Sequence, residues 1–138
     1  MQHLPADHAF ERETSGILVR VLPTYLADES DPGDHRFVWA YTVEIENNSG
    51  RAVKLTFRRW TIVDAAGRTQ RVEGEGVVGQ TPSLQPGESF RYTSGAPLSE
   101  PSGLMSGAYD FETDEGDILS VPTPAFSLDS PHETHLPS

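Results

Sequence analysis

The chain has 138 residues, 10 of them basic against 21 acidic, for a net charge of −11, and it contains no cysteine. That is one domain's worth of chain, long enough to bury a core without staples, and it excludes disulfides, thiolate zinc sites and a cysteine nucleophile. Phosphate backbones and anionic membrane surfaces are bound chiefly through Lys and Arg, so with Lys54 as the single lysine neither nucleic acid nor membrane is an expected partner.

Met1 to Glu13 is polar and acidic, with no basic leader before an apolar run, so no secretory signal is expected. No window approaches the ~20 apolar residues of a membrane span. A cytoplasmic setting fits both points and the missing cysteines. Residues 1–13 are expected to form a flexible segment before a domain at 14–128.

Ile17 to Leu26 reads as a first strand, apolar on both faces with Arg20 interrupting one. Asp28 to Asp34, with Pro32 and Gly33, is an acidic turn. Phe37 to Glu46 alternates cleanly: Phe37, Trp39, Tyr41, Val43 and Ile45 share a buried face, and Thr42, Glu44 and Glu46 a wetter one. Asn47-Asn48-Ser49-Gly50 turns the chain into a strand from Val53 to Val63. Its apolar residues change parity midway, from Val53, Leu55 and Phe57 to Trp60 and Ile62, which predicts a bulge near Arg58-Arg59.

Asp64 to Gly67 closes a hairpin onto a short strand, Arg68 to Val72. Glu73 to Glu88 reads as loop, because it carries four glycines and two prolines. Ser89–Ser94 and Leu104–Glu112 are further strands, separated by an irregular stretch from Gly95 to Ser102. Ile118 to Leu128 is the last, restricted by Pro122 and Pro124 to an edge or a bulge. Residues 129–138 are expected to be a flexible tail. About seven strands without a convincing helix predict an all-β fold, a fibronectin type III or immunoglobulin-like antiparallel β-sandwich. The disulfide-bearing immunoglobulin pattern is missing, which favours the fibronectin-like variant.

Several blocks carry a family resemblance. Phe37 to Val43 followed by Asn47, then Arg59-Trp60-Thr61-Ile62 with Asp64 and Gly67, form the first two. Val72 to Gly79 continues through Pro82, Leu84, Pro86-Gly87-Glu88 and Phe90 to Tyr92-Thr93-Ser94-Gly95, and Gly103, Met105, Gly107 and Tyr109 complete the pattern. From about Thr14 to Leu128 the chain resembles the ApaG (CorD-like) family. The resemblance implies a fibronectin type III-like sandwich in a small bacterial cytosolic protein. It also implies an association with cobalt resistance and magnesium efflux, and with a neighbouring diadenosine-tetraphosphate hydrolase. Similar domains attached to a eukaryotic F-box protein and a polymerase-interacting protein imply protein binding. The family name brings no established catalytic activity and no cofactor.

Candidate sites are few. Gly74-Glu75-Gly76-Val77-Val78-Gly79 spells G-x-G-x-x-G, but a dinucleotide fold needs a helix after it to hold the pyrophosphate, and Gln80-Thr81-Pro82 opens a loop. Backbone N–H groups of Gly74, Gly76 and Gly79, with Arg71 near, would suit a pyrophosphate or nucleotide nest; the plainer reading is conformational. Arg58-Arg59-Trp60 is the most basic spot and a candidate partner-binding site through stacking or cation–π contact, against the plainer reading that Trp60 fills the core.

Metal signals are poor. Asp28, Glu29, Asp31, Asp34 and His35 share a loop without EF-hand spacing. His132-Glu133-Thr134-His135 falls one residue short of H-E-x-x-H, and Met1-Gln2-His3 is a generic copper or nickel chelate. No nucleophile elbow, P-loop or zinc-protease helix is present. A non-catalytic module for an unidentified protein partner is the leading expectation, with small-anion or divalent-cation binding as alternatives.

Overall fold

The alternation from Phe37 to Ile45 becomes β3 (Phe37–Asn47), with Trp39, Val43 and Ile45 almost wholly buried. In a computed structural model describing residues 9–132, it is flanked by β2 (Ile17–Tyr25) and β7 (Ser89–Leu98), and β1 (Phe10–Thr14) completes the sheet in the order β1-β2-β3-β7. The second sheet is built around β4 (Val53–Asp64) and β8 (Gly103–Thr113). β5 (Thr69–Glu75) lies outside β4 and β10 (Phe126–Leu128) outside β8. Two-residue β6 (Ser83–Leu84) also pairs with β4, and β9 (Ile118–Pro122) with β8. Every pairing among these strands is antiparallel.

The inner faces of the two sheets supply one core. Trp60 stands with its ring 5.5 Å from Tyr41, 5.8 Å from Tyr109 and 5.9 Å from Phe126, each edge-on. Edge-to-face aromatic pairs add roughly 0.5–1.5 kcal/mol each beyond the area they bury, so this cluster ties β3, β4, β8 and β10 together. The fold is the expected β-sandwich. The acidic segment after β2 forms two short 3-10 turns, Ala27–Glu29 and Pro32–Asp34.

Among the described residues ten strands stand where about seven are expected, and the differences have causes. Phe10 to Glu13, expected in the flexible leader, belong to β1: Phe10 pairs with Val21, and its ring lies 6.2 Å from Phe126. The final strand divides into β9 and β10 because Thr123 leaves the ladder. Its N–H donates to the Gly107 carbonyl, and its hydroxyl accepts from the Gly107 N–H, so neither proline leaves an orphaned partner on β8. β6 is short enough to escape periodicity altogether.

β7 runs through Gly95 and Pro97 to Leu98, paired with β3 down to Phe37. Propensity favours a loop there, but the long ladder with β3 overrides it, and Pro97 is tolerated because β7 is an edge. Residues 129–132, expected in the tail, close one end of the sandwich: the Asp129 carbonyl accepts from Trp39 Nε1 at 2.8 Å, and the His132 ring packs on Tyr25 and Phe37. The Met1-Gln2-His3 motif and most of His132-Glu133-Thr134-His135 lie outside the described residues.

Candidate functional site

The site begins with the bulge in β4. It falls at Thr56, between Leu55 and Phe57, rather than at Arg58-Arg59. Thr56 donates its hydroxyl to the Asp110 carbonyl, and its own carbonyl accepts the Gly76 N–H at 2.9 Å. One inserted residue moves each later side chain to the opposite face. Phe57 therefore turns outward, and Arg58, Trp60 and Ile62 turn inward.

This divides the basic spot in two. On the outer face Arg59 grips Asp110 through two parallel bonds of 2.7 and 2.6 Å and lies 5.0 Å over the Phe57 ring. That guanidinium holds the Asp110 carboxyl below the ordinary aspartate range. Arg59 thus spends its cation–π contact inside the chain, on Phe57. On the inner face, Arg58 and Trp60 line a cleft between the two sheets.

The cleft opens on the side of the sandwich where β5 and β7 are the edges. It encloses about 190 Å³ and is lined by Arg58, Trp60 and Ile62 of β4, Gln70 and Val72 of β5, Tyr41 of β3, Met105 of β8 and residues 94–97 of β7. Arg58 reaches across β5 and donates from Nη1 to the carbonyls of Glu75 at 3.0 Å and Gly76 at 2.9 Å. Gly74 makes that path available: a Cβ there would sit 3.0–3.2 Å from the guanidinium.

Three phenols lie below Arg58. Tyr92 and Tyr109 share a short hydroxyl–hydroxyl hydrogen bond. Burial pushes both phenols well above the ordinary tyrosine range, and Tyr41 upward as well. Arg58 acts on all three in the opposite direction, because a nearby cation favours the phenolate. The buried Trp60 indole N–H faces the Tyr92 hydroxyl and favours its ionised form, but it is not within good hydrogen-bond geometry of it or of any other acceptor.

The glycine-rich run has a different geometry from an anion nest. Val77 and Gln80 exchange both backbone hydrogen bonds, at 2.8 and 2.9 Å, around a two-residue turn with Val78 at φ +45° and Gly79 at φ +78°. Gly76 sits at φ +60°, and a Cβ on it would lie 2.1 Å from the Gln80 carbonyl oxygen, so only glycine fits. The N–H groups of Gly76, Val77 and Gln80 are committed to backbone carbonyls. The polar atoms the run offers to its neighbour are the carbonyls of Glu75 and Gly76, which hold a cation. Arg71 lies on the outer face opposite Thr61, away from Arg58.

The two sequence candidates therefore meet, but in another combination: Arg58 and Trp60 with Gly74 and Gly76, leaving out Arg59, Arg71 and Gly79. The parity switch signalled that some Arg would turn inward. Tyr41, Ser94 and Val72, which complete the cleft, carry no local signal beyond their strand pattern. Among the described residues no group of three His, Asp or Glu side chains is placed to hold a metal ion, and no helix is long and apolar enough to cross a membrane.

Fold and cleft define a class: an antiparallel immunoglobulin-like β-sandwich with a small basic cleft between two edge strands. Comparison with known proteins narrows this. The family model for the ApaG domain matches residues 27–113. Protein ApaG of Paramagnetospirillum magneticum is 52% identical over 124 residues, covering 90% of this chain and 95% of that protein. Protein ApaG of Rhizobium etli is 54% identical over 118 residues, covering 86% and 91%. Among solved structures, a putative ApaA protein from Bordetella pertussis superposes with a TM-score of 0.82 at 43% identity, over 85% of this chain and 95% of that one. The chain belongs to the ApaG family. The C-terminal domain of wzt, at a TM-score of 0.57 and 8% identity over 91% of this chain and 80% of that chain, shares the fold alone.

Proposed function

We propose that the domain is a non-catalytic protein-binding module that accepts an extended segment of a partner along the free edge of β5. The observation that carries this is the edge itself. β5 has seven residues, six of them exposed, and no proline. Among the described residues it pairs with β4 alone. A strand whose outer row of N–H and C=O groups is claimed only at its last carbonyl, that of Glu75 by Arg58, is a template for a further strand along the rest, whose alternate side chains then face the neighbouring pocket. The facing edge, β7, is interrupted by Pro97, which cannot donate to such a ladder.

A second observation supports the same side of the molecule. Val78, at the tip of the turn following β5, is β-branched, has φ +45° and is 50% exposed. Left-handed backbone at such a residue costs on the order of 1–3 kcal/mol, and strain of this kind clusters at binding sites. The cleft's one phenol, Tyr41, and Tyr92 and Tyr109 in the core are held protonated by burial, which suits a binding floor better than an acid–base pair working near neutrality. In the cytosolic setting that the family resemblance implies, the cobalt and magnesium phenotypes follow from binding a protein partner.

The test uses a partner isolated on the wild-type domain and two matched edge substitutions. Val72→Lys on β5 is expected to weaken the complex at least tenfold, while Phe10→Lys on β1, at the opposite edge, leaves it unchanged. The reverse pattern would overturn the docking mode. A robust turnover abolished by one point mutation would overturn the non-catalytic part.

A further inference from the structure

The lining of the cleft beside β5 contrasts with the chain's overall charge. The chain carries 21 acidic residues, yet no Asp or Glu lines this cleft. Its one formal charge is Arg58, and the two carbonyls that hold Nη1 are neutral acceptors, so they fix the guanidinium without cancelling it. Among the described residues the carboxylates within ion-pair distance of a cation are engaged by Arg20, Arg51, Arg59, Arg68 and Arg91, and none by Arg58.

Further donors stand around Arg58. The Tyr41 and Ser94 hydroxyls line the same cleft, and so does the Trp60 ring. Ile62, Ala96 and Met105 give the cleft an apolar wall. Its volume of about 190 Å³ is below the ~300–1,000 Å³ of pockets that hold drug-sized ligands, and it suits a single side chain.

We infer that the cleft receives a carboxylate, borne by an acidic side chain of the partner segment that lies along β5. This rests on the docking mode proposed above and names what that segment must carry. The methylenes of the side chain lie on the apolar wall, and its oxygens take the guanidinium donors that the two carbonyls leave over. A planar carboxylate fits the guanidinium fork better than any neutral side chain does. In a chain of net charge −11, a site free of acidic residues spares an incoming anion local repulsion.

The probe is acetyl-glutamate N-methylamide, with acetyl-glutamine N-methylamide as its neutral isostere, titrated into the full chain. The signals followed are the Trp60 indole N–H and the Arg58 Nε–H in ¹H–¹⁵N spectra. Saturable shifts are expected with the glutamate probe, with at least a tenfold weaker response to the glutamine probe. Arg58→Gln is expected to abolish them, and Arg58→Lys, which keeps the charge but loses the fork, to leave an intermediate affinity. Equal affinity for the two probes, no saturation, or unchanged binding by Arg58→Gln would overturn the inference. Free propionate matching the glutamate probe would overturn its peptide-borne source. The two readings fail separately: a partner that needs β5 yet binds Arg58→Gln as well as wild type removes the carboxylate alone, and a carboxylate site with a partner indifferent to Val72→Lys removes the docking mode alone.

Discussion

Arg20 and Arg58 sit on different sheets of the sandwich, the first facing out and the second in, and live in opposite environments. Arg20, on the outer face of the first sheet, reaches Glu11, Glu44 and Glu46 at 3.1, 3.0 and 2.9 Å. Glu44 is also bound by Arg91 at 2.8 Å and is fully buried beneath the two guanidinium groups. Every charge there has a partner. Arg58 has two carbonyls, an unpartnered indole N–H beside it and a strained, exposed valine at the end of the adjoining strand. The same residue type therefore holds structure together in one place and waits for a ligand in the other, and the difference lies in whether the surrounding donors are already satisfied.

The largest effect that would sharpen this contrast comes from truncating each arginine in turn. Arg20→Met leaves Glu44 buried with Arg91 as its remaining named cation, and breaking a buried pair costs a few kcal/mol. Because Arg91 stays, we expect a loss of about 2–4 kcal/mol, seen as a fall in Tm of roughly 10 °C by calorimetry. Arg58→Met, whose side chain makes no ion pair among the described residues and gives up two hydrogen bonds to carbonyls that water reaches at least in part, is expected to cost about 1 kcal/mol. Equal losses would break the comparison.

Relieving strain on the binding side makes a smaller change of the opposite sign. Val78→Asn gives the turn the Asn-Gly pair that left-handed two-residue hairpins favour, and we expect a gain of about 1 kcal/mol in denaturant melts with weaker partner binding. A loss of stability would mean that Val78 is not strained.

The phenols give the pH signature. Tyr92 and Tyr109 have folded-state pKa values raised by burial, so their contribution to stability is complete below the unfolded value of about 10 and declines as pH rises through and beyond it. Absorbance titration at alkaline pH is expected to show these two ionising only as the protein unfolds. Tyr92→Phe is expected to remove one such late step. The smallest effect belongs to Tyr41: Arg58 lowers its pKa, so Arg58→Met is expected to move its ionisation upward, and a downward movement would place Arg58 away from the phenols.

Much of this was legible in the sequence, and for a physical reason. β3 lies between two other strands with one wholly apolar face and a more polar one that is itself largely covered, and its side chains alternate accordingly, so period alone locates it. Asn47 marked a turn, and the structure adds that its side chain donates to the Arg51 and Leu84 carbonyls and accepts from Ser49. The bulge was legible as a change of parity but not in its position, because Phe57 is apolar whichever way it points. The extension of β5 through Gly74 and of β7 through Pro97 was hidden by residues that ordinarily end strands, and only pairing with β4 and β3 keeps them extended. The cleft was illegible for a deeper reason. It exists because Arg58, Tyr41, Val72 and Ser94 come from four strands, and no local pattern encodes which edges end on the same side of a sandwich.

The most direct test of the central claim is a crystal structure of the chain grown with acetyl-glutamate N-methylamide. The account predicts the carboxylate between Arg58 and the Tyr41–Ser94 wall, within hydrogen-bond distance of the guanidinium. A probe bound instead at Arg71 or Arg59 on the outer face, or an empty cleft at saturating probe, would contradict it.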